Sequence, residues 1–265
     1  MEEIGYTMAL VVGLSLGFIG SGGSILAVPI LTYLFSFDEK IATAYSLFIV
    51  GFAAFIGGVF QNRNNFVDWR TALVFGLPAL IGVWMVRYLV VPILPDVIFE
   101  YQNFIFSRRM GMYGLFAILM IGAAYSMLFS ENQKGGSGIV SYNYPLILIE
   151  GLVVGALSGF VGAGGGFLII PALVMLANLE IKKAIGTSLV IVSIKSIIGF
   201  LLADALIMTI DWNFLLTFTS ITIVGIFLGL YLSTFLSSSL LKNVFGYFIM
   251  VMAIFVFVIE FFIKM

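Results

Sequence analysis

Apolar residues in this chain come in long blocks rather than in alternation with polar ones. Eight blocks are visible, roughly 7–35, 42–61, 70–92, 110–129, 144–177, 184–203, 213–236 and 242–263. Each reaches or exceeds the ~20 residues an α-helix needs to cross the hydrocarbon core of a bilayer. The run Ile249 to Ile259 has no polar member, so it cannot be the alternating strand of a membrane β-barrel. Short polar breaks separate the blocks: Ser36–Lys40, Gln61–Asn65, Pro92–Arg109 and Glu131–Tyr142. The pattern predicts an all-α integral membrane protein of about eight transmembrane helices.

The blocks repeat. Gly13, Gly17, Gly20, Gly22 and Gly23 match Gly155, Gly159, Gly162, Gly164 and Gly165 at a constant offset of 142, and Pro29 matches Pro171 at the same offset. Ala42, Ser46 and Leu47 match Ala184, Ser188 and Leu189, and Gly57 matches Gly199. With one residue inserted, Asp68-Trp69 matches Asp211-Trp212, Gly82 matches Gly225 and Tyr88 matches Tyr231. So regular a correspondence predicts an internal duplication. The expected organisation is a first transmembrane repeat over 1–130, a Gly/Ser-rich linker over 131–143 and a second repeat over 144–265.

Four single crossings per repeat would return the chain to its starting side and make the repeats parallel. If the long first block of each repeat is a re-entrant hairpin, the count becomes odd and the repeats are inverted. Sequence alone leaves both open. With eight single crossings, Lys40, Arg108, Arg109, Lys182, Lys183 and Lys242 fall on one side, and Arg63, Arg70, Lys134 and Lys264 on the other. That excess of cationic residues places both termini outside.

Each long first block holds a glycine cluster followed by a proline, Gly20–Ser24 with Pro29 and Gly162–Gly166 with Pro171. Glycine in a helix interior is ~1 kcal/mol worse than alanine, and proline leaves a carbonyl unpaired. The first helix of each repeat is therefore expected to break there. Inside a membrane such a break is tolerated only where protein or a water-filled cavity satisfies it. A half-helix beginning after the break aims N–H groups and a positive dipole end at that cavity, which suits an anion. The candidate binding residues are Gly20, Gly22, Gly23, Ser24, Gly162, Gly164, Gly165 and Gly166. The sparser pairs Gly13/Gly17 and Gly155/Gly159 read instead as close helix packing.

Hydroxyl residues follow each cluster, and Ser46, Thr187 and Ser188 join the candidates as anion donors, or else bond their own helix. Lys195 lies seven residues after Ser188 on the same helical face, more than ~13 Å from the charged ends of its segment. An intramembrane lysine points to function, here anion binding or charge compensation; a structural ion pair with Glu150 is the other reading. Its counterpart in the first repeat is Ala53. Glu150, Arg87 and Glu260 read as interfacial, with Glu260 and Lys264 as a helical i,i+4 pair.

Composition narrows the chemistry further. Hydrophobic residues make up 62% of the 265 and charged ones 9%, with a mean hydropathy of +1.20. There is no cysteine and no histidine, which removes thiol catalysis and the usual zinc and haem ligands, so no cofactor and no metal is expected. The first charges, Glu2 and Glu3, are unlike a basic signal-peptide start, so the first block reads as a retained helix.

The doubled motif Phe160-Val161-Gly162-Ala163-Gly164-Gly165-Gly166…Pro171 with Ala184–Leu189, and Phe18-Ile19-Gly20-Ser21-Gly22-Gly23-Ser24…Pro29 with Ala42–Leu47, resembles the TauE/SafE sulfite exporter family, also called the toluene sulfonate uptake permeases. The resemblance covers nearly the whole chain and is closer in the second copy. It departs in the first at Ser24 and Tyr45. It implies secondary transport of a small sulfur-containing anion (sulfite, sulfonate or sulfoacetate) across the cell membrane. The partners expected are that substrate and membrane lipid, with no nucleic acid; a homodimer is left open. No Walker motif offers ATP as the driver. The rival readings are a membrane scaffold or partner subunit, an anion channel, and an intramembrane enzyme. The enzyme lacks a catalytic set: no His, no Cys and no paired carboxylates within one segment.

Overall fold

The computed structural model describes residues 2–101, 104–129, 144–161, 165–175, 177 and 179–263. The expected linker 131–143, together with Gly162 and Gly164, lies outside the described residues. Each of the eight apolar blocks holds one or more helices among its described residues. In order they are α1 (Glu2–Ile19), a 3-10 segment (Gly20–Leu26), α2 (Ala27–Tyr33), α3 (Glu39–Arg63) and α4 (Trp69–Met85), the last prolonged by a π-turn (Val86–Val90) and a short 3-10 turn (Val91–Ile93). A small antiparallel hairpin of β1 (Val97–Tyr101) and β2 (Phe104–Ser107) leads into α5 (Arg108–Phe129). The second half holds α6 (Tyr144–Val161), α7 (Gly166–Met175) and α8 (Ile181–Gly199). A π-turn (Phe200–Asp204) and α9 (Ala205–Ile207) follow, then α10 (Trp212–Ser233) and α11 (Ser238–Val258) with a terminal π-turn (Ile259–Ile263).

Local chemistry sets the starts of these helices. Asp68 accepts a hydrogen bond from the Thr71 N–H at 2.9 Å, and Asp211 accepts one from the Phe214 N–H at 3.1 Å. The repeated Asp-Trp pair is thus an N-cap and first helical residue in both halves. Asp38 caps α3 and Ser237 caps α11 in the same way.

Among the described residues seven stretches are long and apolar enough to cross a membrane, but the first, Ile4–Tyr33, is not a straight rod. The Ser15 hydroxyl donates to the Gly23 carbonyl at 3.3 Å, and a methyl group on Gly23 would lie 2.3 Å from the Leu16 nitrogen. In a continuous helix residues eight apart are ~12 Å apart along the axis. The chain therefore doubles back at the 3-10 segment. Its ends confirm this: the Tyr6 and Phe35 rings lie 5.9 Å apart. In the second half a methyl on Gly165 would lie 2.3 Å from the Ser158 Cβ, the same fold-back between α6 and α7. Positive φ angles at Gly20 (+76°) and Gly165 (+57°) make the corners, a conformation that favours glycine. Pro29 falls in the first turn of α2, where its missing N–H is harmless.

Each half thus has one helical hairpin and three straight crossings, and the count is odd. The first hairpin enters from the face that carries the N-terminus, the second from the opposite face. Helix directions agree. Gly13 and Gly17 of α1 meet Gly225 and Gly229 of α10 in order, so that pair is parallel; Gly151, Gly155 and Gly159 of α6 meet Phe75, Ala79 and Val83 of α4, also parallel. Gly51 and Gly58 of α3 meet Ser196 and Val190 of α8 in reverse order, an antiparallel central pair. The glycines read as packing residues do serve packing. This path also redistributes the cations. Lys182, Lys183 and Lys242 belong with Arg63 and Arg70 on the face opposite the N-terminus, not with Lys40, Arg108 and Arg109 as eight single crossings required.

The core lies between α3 and α8, where Ala53, Ala54, Leu189 and Val192 are wholly buried. The outer helices turn apolar stripes outward: Leu73, Leu77 and Ile81 on α4, and Val251, Ile254 and Val258 on α11, are each 40–65% exposed. Water would not tolerate these stripes; lipid does.

Candidate functional site

The site is built where the two hairpins meet beside the central α3–α8 pair. The Ser21 hydroxyl, on the turn of the first hairpin, donates to the Gly166 carbonyl at the start of α7 at 3.1 Å. A methyl on Gly166 would lie 2.1 Å from the Ser21 carbonyl oxygen. The two hairpins thus touch backbone to backbone, an approach only glycine allows. Gly22 packs on the Phe245 ring of α11 and Gly20 on Ile185 of α8. Ser24 is wholly buried, and its hydroxyl has no partner among the described residues.

Lys195 is also wholly buried, in the middle of α8. Its ammonium donates to the hydroxyl of Ser158, the residue on which Gly165 folds back. The cation therefore sits at the root of the second hairpin's turn. Ser158 is eight residues, or ~12 Å along α6, from Glu150, so the ammonium is anchored away from that carboxylate. Snorkelling to an interface is excluded by its burial.

The hydroxyl candidates divide. Ser46 donates to the Thr43 carbonyl at 2.7 Å and Ser188 to the Ile185 carbonyl at 2.8 Å, both within their own helices. Thr187 accepts from the Asp68 N–H at 2.9 Å and so pins the start of α4. The structure sets Gly20, Gly22, Gly23 and Ser24 of the first turn beside Gly166 through its contact with Ser21, places Lys195 on Ser158 against Gly165, and sets Thr187 at a loop anchor.

Sequence reasoning missed Ser158, Ser21, Arg87 and Asp204. Arg87 is not interfacial. It is buried, with Nη1 at 3.4 Å from Asp204 Oδ1 and donating to the Thr43 hydroxyl at 3.2 Å. Glu260 is buried too, and binds Arg109 at 2.7 Å; Lys264, its expected i,i+4 partner, lies outside the described residues. Ser158 could have been found as the one hydroxyl between the packing glycines Gly155 and Gly159.

Paired hairpins entering from opposite faces, a buried cation at their root, and a lipid-facing exterior suit a multi-pass membrane transporter. The comparisons with known proteins say the same. Residues 6–257 match the sulfite exporter TauE/SafE family, and the chain belongs to that family. Proteins described as probable membrane transporter proteins from two strains of Xylella fastidiosa are 32% identical over 250 residues, covering 92% of this chain and 90% of each relative. A third, YdhB of Bacillus subtilis, likewise a probable membrane transporter protein, is 28% identical over 68% of this chain and 69% of its own length. No solved structure gives a significant match.

Proposed function

We propose that the protein is a secondary transporter for a small oxyanion of the sulfite or sulfonate type, working by alternating access. One observation carries this reading: the wholly buried Lys195 ammonium at the root of a broken, glycine-lined hairpin. A wholly buried cation inside the membrane-spanning core is well matched to an anionic substrate. The buried Ser24 hydroxyl adds a donor. The halves are read as inverted copies of one unit, so exchange of roles between the two hairpins would expose the site to each face in turn. Arg63, Arg70, Lys182, Lys183 and Lys242 mark the face opposite the N-terminus as cytoplasmic.

The test is thermal stability of the purified protein across sulfite, thiosulfate, sulfate, taurine, sulfoacetate and acetate, followed by flux into proteoliposomes. A bound anion at 100 times its Kd stabilises by about 2.7 kcal/mol. Lys195→Met keeps the shape without the charge. It should remain folded, lose the anion-dependent shift and lose flux. A wild-type protein indifferent to every anion, or a Lys195→Met variant that still transports, would refute the reading.

A further inference from the structure

Arg87 and Asp204 form a second charged centre, on the side of Lys195 nearer the N-terminal face. Each lies on a π-turn, Arg87 in Val86–Val90 and Asp204 at the end of Phe200–Asp204. Such turns insert a residue into the helical repeat and recur at functional sites. Asp204 follows Lys195 by nine residues, ~13 Å along α8 and its extension. Arg87 lies one turn beyond Val83, on which Gly159 of α6 packs, so it sits beside the end of the second hairpin's first helix.

The bonding of this centre is unlike that of a structural ion pair. A resting Arg–carboxylate pair commonly uses two parallel N–H···O bonds. Here only Nη1 is engaged, with Asp204 at 3.4 Å and Thr43 at 3.2 Å. The Nε and Nη2 atoms of Arg87 are buried with no partner among the described residues, and so is Oδ2 of Asp204. Unmade hydrogen bonds on buried charged groups are costly. The two idle nitrogens are also adjacent. Nε–H and Nη2–H form the planar edge of the guanidinium that matches two oxygens of a carboxylate, sulfonate or sulfite.

We propose that the Nε/Nη2 edge of Arg87 is a second anion subsite on the transport path, which takes two oxygens of the oxyanion between Lys195 and the N-terminal face. Asp204 holds the guanidinium when the subsite is empty and competes with the substrate for it. This rests on the anion-transport reading above. It adds a specificity rule: the edge favours anions that present two oxygens to its two parallel N–H groups over a monatomic halide, which offers them a single shared acceptor.

The experiment compares Kd for sulfite and sulfoacetate, by titrated thermal shift and isothermal calorimetry, in wild type, Arg87→Lys, Asp204→Asn and Lys195→Met, with chloride as competitor. Arg87→Lys keeps the charge and loses the fork, so oxyanion affinity should fall by about tenfold while chloride competition is unchanged. Asp204→Asn removes the internal competitor and should tighten oxyanion binding by about the same factor. Wild-type Kd in both variants, with Lys195→Met still abolishing binding, would overturn the subsite and leave the transport reading intact. Absence of binding in wild type would remove both. Should Arg87→Lys fail to fold, Asp204→Asn decides alone, and unchanged or weaker binding there overturns the proposal.

Discussion

Replacing Gly13 by alanine tests the helix pairing most directly. The added methyl would sit 1.9 Å from the Thr222 carbonyl oxygen and 2.9 Å from the Gly225 Cα, both backbone atoms that cannot rotate away. Ordinary contact begins near 3.4 Å, so α1 and α10 must part by roughly 1.5 Å at that point. Gly17, Gly225 and Gly229 interlock along the same stripe, and their contacts open with it. A gap of 0.5–1 Å already forfeits about a quarter to a half of a dispersion contact. Overpacking of this kind costs about 1–3 kcal/mol, and the rigid neighbours place Gly13→Ala in the upper half of that range. The expected fall in Tm is about 4–12 °C, taking ~2–4 °C per kcal/mol for a protein of this size. Thermal unfolding of the detergent-purified protein, followed by its tryptophan fluorescence, reads this. Gly122→Ala is the control: it faces outward with nothing within 4 Å, so it should keep or slightly raise Tm. Gly155→Ala, 2.2 Å from the Ala79 carbonyl oxygen, should fall between the two, closer to Gly13→Ala. If Gly13→Ala melts with Gly122→Ala, the α1–α10 contact is not as tight as described.

Single cysteines test the fold-back, since the chain has none of its own. Asn64→Cys and Ser239→Cys should react with an impermeant maleimide from one face, and Asp96→Cys and Thr209→Cys from the other; eight single crossings would put the members of each pair on opposite faces. Glu39 and Arg108 form a buried pair at 2.5 Å, with Asp96 as a third member. Glu39→Ala leaves Arg108 with Asp96 alone among the carboxylates, so it should lower stability by less than the about 3–5 kcal/mol of a fully unpaired buried charge, whereas Glu39→Leu with Arg108→Met should restore most of the loss; equal melting of single and double variants would refute the pair. Gly166→Ala drives a methyl to 2.1 Å from the Ser21 carbonyl oxygen, so flux should collapse while anion binding at Lys195 survives; unchanged flux would show that the hairpins need not touch.

Much of this was legible because it depends on patterns longer than any one contact. The block lengths specify helices in lipid, and the recurrence of Asp68-Trp69 at Asp211-Trp212 marks one capped helix start in each half. The fold-back of residues 4–33 was not legible as a choice. Thirty apolar residues satisfy a tilted crossing and a hairpin equally well, since lipid asks only that backbone groups be paired. The decision is made by the Ser15–Gly23 contact, which has no sequence period. Arg87 was misplaced for a related reason. Its spacing puts it near the end of the third block, where an arginine can reach the interface. The π-turn at Val86–Val90 shifts the helical phase by roughly 100°, and so turns Arg87 inward toward Asp204.

The two halves share a backbone plan but not its charges. Lys195 corresponds to Ala53, Arg87 to Leu230 and Asp204 to Asn62, so all three buried ionisable groups of the proposed path come from one of each equivalent pair. On the alternating-access proposal, a duplicated backbone would give two arrangements of nearly equal energy, which alternation requires. Duplicated charges would give two competing anion sites, and a substrate bound equally well in both arrangements would favour neither. Concentrating the cations on α8 and the end of α4 keeps one site while leaving both hairpins free to move around it. On this account the asymmetry is what would let a symmetric frame carry cargo, and Ala53, wholly buried on α3 at about the level of Lys195 on the antiparallel α8, is the position where a second cation would most disturb transport.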